Sequence, residues 1–245
     1  MWVSLMNSRV AFLLFMLSLP GIFSVSWLAL PLLIEPSTVQ VPMSSLQIAT
    51  AVQNVVLVFI AAFAGAFVSS KVGLYSPIIS AIANEGRVVI AFRSQIFPGL
   101  VGGCIGAVII IGFYSFAPES FSQVQPEKPL PIAVRMLYGG ITEEVMVRWG
   151  LMSTIAWVIW RSFQRESHLP TKSITWAAII ISALIFGLSH LPSFGQPLSA
   201  ALIAYITIGN MLFGLLAGFL FWRYGLESAI FAHLLSHFFV FLIHG

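Results

Sequence analysis

The chain has 245 residues, 59% hydrophobic and only 8% charged, with a net charge of +3 and a mean hydropathy of +0.99. Soluble domains carry about 25% charged residues, so too few polar side chains exist here to cover a water-facing globule. Disordered, collagen-like and disulfide-stapled classes fall by the same arithmetic. The eleven Lys and Arg form no basic run that could follow nucleic acid, all eight acids are Glu, and the single Cys104 cannot close an internal disulfide. The expected class is an all-α, polytopic transmembrane helix bundle whose surroundings are the lipid bilayer.

A spanning helix needs about 20 apolar residues, and seven such runs occur: 10–34, 44–70, 95–117, 132–160, 173–191, 198–222 and 228–244. The first outlasts the roughly 7–15 residues of a signal-peptide core and shows no clear cleavage site. It reads as a retained helix, bent near Pro20 and ended by Pro31. In the second run Gln53 and Asn54 are expected to hydrogen-bond between helices. Segment 77–92 is too short and too charged to cross, and reads as an interfacial helix. Small residues at Gly102/Gly106 and Gly214/Gly218 have the spacing of close helix contacts.

Charges in the gaps alternate. Arg9, then Lys71, Arg87 and Arg93, then Arg161, Arg165 and Lys172, then Arg223 fall on one side; Glu35, Glu119, Glu127 and Lys128 and the uncharged 192–197 gap fall on the other. The positive-inside rule then puts the N-terminus in and the C-terminus out. A first region, 1–130, would supply three spans, and a second, 131–245, a catalytic core of four.

Three charges lie well inside the fourth run: Glu143, Glu144 and Arg148. Each costs roughly 2.5–3.5 kcal/mol at mid-bilayer, so such groups persist by pairing or by lining a polar cavity. Glu144 and Arg148 are four apart and share a helix face, which suits a buried ion pair that supports packing. At about 100° per residue Glu143 points elsewhere, and is the carboxylate left for general-base chemistry. His190 ends the fifth run, and His233 and His237 share a face of the seventh, a spacing that can hold a metal. His168 and His244 read as solvated. Counted at 1.5 Å per residue from the basic ends, Glu143 and His190 lie about 27 Å deep, His237 about 21 Å, Arg148 about 20 Å and His233 about 15 Å. That spread permits one site without requiring it.

Glu143-Glu144-Val-Met-Val-Arg148, Phe186-Gly-Leu-Ser-His190 and the stretch opened by His233, His233-Leu-Leu-Ser-His237, resemble, in that order, the EExxxR, FxxxH and HxxxN/D motifs of the CPBP intramembrane proteases. That family comprises type II CAAX prenyl endopeptidases and bacteriocin-processing or self-immunity proteins. The resemblance covers roughly 130–240. It departs at His237, where the family has Asn or Asp. It implies an intramembrane endopeptidase acting on a membrane-associated protein or peptide, in which Glu143 activates a water. His190 and His233 would hold a metal or stabilise the oxyanion, with Glu144 and Arg148 in support. His237 would donate to the oxyanion or join His190 and His233 as a ligand, and the expected cofactor is a divalent metal, zinc. The expected location is a bacterial inner (plasma) membrane. Two rival readings are a non-catalytic scaffold or bacteriocin self-immunity protein, and a proton relay or transporter. The first would be expected to have lost Glu143 or a His, and the second to show inverted repeats; neither is found in the sequence.

Overall fold

The computed structural model describes residues 2–34, 40–124, 129–164, 166–191 and 198–244. The expected loop charges Glu35, Glu127, Lys128 and Arg165, the 192–197 gap and the side chain of His244 lie outside what is described. The described residues form helices and no strand. In order they are α1 (Trp2–Ser24), α2 (Met43–Val68), α3 (Pro77–Ala83), α4 (Val88–Ser115), α5 (residues 132–163), α6 (Lys172–Ser189), α7 (Ala200–Tyr224) and α8 (Leu226–His244). Six helical runs are long and apolar enough to cross a membrane: Ser8–Leu33, Met43–Val72, Val88–Ser115, Lys172–Ser189, Ala200–Tyr224 and Leu226–Ile243. Large apolar side chains such as Phe67, Phe97 and Val108 face outward, as lipid allows and water does not. The chain is an integral, multi-pass, all-α membrane bundle.

The seventh expected span, α5, is helical from end to end, but it is not one α-helix. Ile132–Val134 leads into π turns over Arg135–Glu143 and Val145–Met152, and Ser153–Phe163 returns to α geometry. The i→i+5 bonding of a π turn widens the helix and often marks a functional site. Neighbouring helices grip this widened stretch. Thr142 Oγ1 donates to Ser18 O of α1 at 3.0 Å, and the Trp149 indole donates to Ala62 O of α2 at 3.0 Å. A Cβ on Gly140 would stand 2.6 Å from Leu234 Cδ2, and one on Gly150 2.6 Å from Ala61 Cβ. Glycine is what lets α8 and α2 close on α5 at these points.

Several expectations change. Pro31 does not end the first helix, which passes through a π turn at Val25–Ala29 and ends at Leu33. The turn moves the local bond by one residue, Leu30 N–H to Val25 O, so the chain stays helical into a proline that lacks an N–H. Segment 77–92 is not one interfacial helix. It is α3, a turn with Glu85 at φ 54°, and the first residues of α4. Gln53 is exposed and makes no hydrogen bond among the described residues, whereas buried Asn54 accepts from Tyr138 Oη of α5 at 2.8 Å. The glycine spacings do mark close contacts: Cβ atoms on Gly102 and Gly214 would each stand 2.9 Å from an alanine Cβ, of Ala232 and Ala183.

Candidate active site

Five of the six singled-out side chains meet where α5, α6 and α8 face one another. Glu144, fully buried, sits 3.2 Å from Arg148 Nε through Oε2 and accepts from His233 Nδ1 at 2.8 Å through Oε1. The Arg148 N–H is not aimed at Oε2, so the first contact is an ion pair without a hydrogen bond. Arg148 also donates Nη2–H to Gly214 O of α7 at 3.3 Å and lies 4.5 Å over the Phe186 ring of α6. One guanidinium thereby ties α5, α6 and α7 together around a buried carboxylate. The sequence predicted the Arg148 partner from helical spacing. It gave no sign that His233, 89 residues away, is the second.

Phe186 organises the histidines. Its ring lies 4.7 Å from the His190 ring, edge to face, and 6.4 Å from that of His233. His190 Nδ1 is 2.7 Å from Phe186 O. A carbonyl only accepts, so Nδ1 carries the proton, and in the neutral ring Nε2 is then the lone-pair nitrogen. His233 is set the same way by Glu144: Nδ1–H to the carboxylate, Nε2 outward. His233 and His237 stack with ring centres 5.0 Å apart, and His237 lies within electrostatic reach of His233, Arg135 and His190.

Gly139, one turn before Glu143, lies beneath this pair. A Cβ there would stand 3.3 Å from His237 Nε2 and 3.6 Å from His233 Nε2. The missing side chain thus leaves a gap bordered by two imidazole nitrogens. Glu143, half-buried, makes no hydrogen bond or ion pair with any described residue, although its charge is felt at Tyr138 and Arg148. The two neighbouring carboxylates therefore differ in kind: one is locked, the other is available.

The donor chemistry fits a divalent ion. Imidazoles that give Nδ1–H to a carboxylate or carbonyl and offer Nε2 are the usual form of histidine ligands; His190 and His233 have that form, and the Gly139 gap adjoins Nε2 of His233 and of His237. Among the described residues, no three His, Cys or Glu side chains are gathered closely enough to hold an ion, so the expected triad of His190, His233 and His237 is not assembled as a ligand set here. Sequence reasoning missed Tyr138 and Arg135. Both lie on α5 close before Glu143, at the start of the fourth run, and that position was the available signal.

The family model for type II CAAX prenyl endopeptidase Rce1-like proteins matches residues 125–239. Neither the curated proteins nor the solved structures yield a match. The matched region begins before α5 and ends within α8, enclosing every residue of the site. The match spans just under half of the chain and supports its resemblance to this family, whose general activity is that of a CAAX-type intramembrane protease.

Proposed function

We propose, from the match of residues 125–239 to the Rce1-like family model and from the contrast between Glu143 and Glu144, that this chain is an endopeptidase that hydrolyses a peptide bond of a membrane-associated protein or peptide. Glu143 is the general base. The observation that carries this reading is that Glu144 spends both oxygens on Arg148 and His233 while Glu143 spends none.

Glu143 takes a proton from a water as its oxygen attacks the scissile carbonyl carbon. In this reading the tetrahedral oxyanion forms on the side of the imidazoles, and His190, His233 and His237 meet its developing negative charge. The protonated Glu143 then returns its proton to the leaving amine. Glu144 and Arg148 touch no reacting atom in this scheme; Glu144 holds the His233 ring, and Arg148 holds Glu144. The residues that would hold a divalent ion, zinc in the first instance, are His233, His237 and His190, and their rings would have to draw closer than they stand among the described residues. When bound, the ion supplies Lewis-acid polarisation of the carbonyl and lowers the pKa of water.

The alternation of basic gaps supports an N-terminus on the cytoplasmic side, and the membrane in this reading is the inner (plasma) membrane of a bacterium. The deciding experiment incubates the purified chain in lipid nanodiscs with a membrane proteome and maps new peptide termini by mass spectrometry. Wild type should generate termini that Glu143→Gln does not, while the variant keeps its melting temperature. Identical termini from both would refute the assignment, and a dead Glu144→Gln beside an active Glu143→Gln would reverse the carboxylates.

A further inference from the structure

Arg135 opens the π segment of α5, is half-buried, and makes no hydrogen bond or ion pair with any described residue. A half-buried guanidinium with no counter-charge among the described residues is a ready partner for an anion that enters the site. Its position says where that would happen. Arg135, Gly139 and Glu143 follow one another at intervals of four on one helix. An i→i+5 helix completes a turn in slightly more than four residues, so the three follow one another as a stripe along the helix. The middle member faces the Nε2 atoms of His233 and His237, and His237 senses the charge of Arg135. The stripe thus runs from a cation, past a gap under two imidazoles, to the uncommitted carboxylate.

We propose that Arg135 is a specificity-determining residue whose guanidinium holds a carboxylate of the peptide lying across the site. This rests on the endopeptidase reading above. Eight residues of helix separate Arg135 from Glu143, at most about 12 Å, the span at α-helical rise, because the π-wound stretch advances less per residue. An extended peptide advances about 3.3 Å per residue. The carboxylate that Arg135 reads therefore lies no more than about four residues from the scissile bond. A guanidinium takes a carboxylate through two parallel N–H bonds, which a lysine cannot reproduce. The carboxylate can be a chain terminus or an Asp or Glu side chain, and the experiment separates these.

Three pools of random nine-residue peptides are offered to the full chain in nanodiscs. The first lacks Asp and Glu and ends in a free acid; the second lacks them and ends in an amide; the third ends in an amide and carries one internal Glu. Cleavage is read by mass spectrometry, and binding by competition on the Glu143→Gln chain. Wild type should favour one acid-bearing pool over the neutral pool by roughly 10- to 100-fold, the range for a hydrogen bond to a charged group. Preference for the first pool identifies a terminal carboxylate, and for the third a side chain; either supports the proposal. Arg135→Gln should erase the preference and Arg135→Lys should retain part of it. Equal use of all pools by wild type, or a preference that survives Arg135→Gln, overturns the proposal while leaving the endopeptidase reading intact. If wild type cleaves nothing, that reading fails by itself, and equal binding of all pools to Glu143→Gln then overturns the role of Arg135. The wild-type comparison stands whether or not the Arg135 variants fold.

Discussion

Replacing Arg148 by Met tests whether the centre of the bundle is held by charge or only by shape. Met keeps most of the side-chain volume and removes the guanidinium. The change abolishes the 3.2 Å ion pair with Glu144, the 3.3 Å bond to Gly214 O and the stacking over Phe186. Both partners of the pair are fully buried, so Glu144 would keep His233 alone in a place that water does not reach. Removing one partner of a buried pair costs about 3–5 kcal/mol. For a chain of this size each kcal/mol moves the melting temperature by about 2–4 °C, so Arg148→Met should melt roughly 6–20 °C below wild type. The assay is tryptophan fluorescence on heating in detergent, with size-exclusion recovery as a second probe. The double variant Glu144→Gln/Arg148→Met removes both charges and should recover most of the loss, because replacing a whole buried pair is often nearly neutral. Arg148→Lys should fall between, since it keeps a cation but loses the forked reach to Gly214 O. A wild-type melting curve for Arg148→Met, or a double variant no better than the single, would refute the reasoning.

His237→Asn, which restores the residue usual in the resembled family, should lower the stoichiometry of bound divalent metal measured by elemental analysis of the purified chain; no metal in either chain sinks the ligand role. In that case His237→Asn should stay active and indifferent to chelators, while His237→Phe loses on the order of 10²–10³-fold in kcat, the loss for one oxyanion donor. Glu227, at the start of α8, accepts from Ser76 Oγ at 2.6 Å and from Ile78 N and Ile79 N at 2.8 and 2.9 Å, so it caps α3 from another helix. Glu227→Ala should loosen α3 by about 1–3 kcal/mol, seen as faster amide exchange at Ile78 and Ile79, whereas Glu227→Gln keeps an acceptor and should lose less. Unchanged exchange in both variants would mean the cap is idle. Cysteine labelling on a Cys104→Ser background should place position 9 inside and position 243 outside; both on one side would remove a span from the count.

Much of the architecture was legible because it follows from short-range rules. Apolar runs of spanning length located the transmembrane helices, and charges inside one run located the site. Intervals of four predicted the Glu144–Arg148 pair, since one helical turn brings such residues together whatever surrounds them. The same local reasoning separated Glu143 from Glu144, and the structure keeps them apart. What escaped it depends on how helices are rotated and slid against one another. Glu144 meets His233 across 89 residues, Tyr138 meets Asn54 across 84, and Glu227 caps a helix begun 150 residues earlier (Pro77). No local pattern specifies those rotations, because the contacts arise only once glycine-lined faces close. The π turns of α5 belong to the same class. Their residues have no distinct propensity, and an α-helix was the reasonable expectation over 132–160. Thr142, Trp149, Gly140 and Gly150 are each engaged by a neighbouring helix, and tertiary packing decides that this stretch is wound wider than its own sequence would choose.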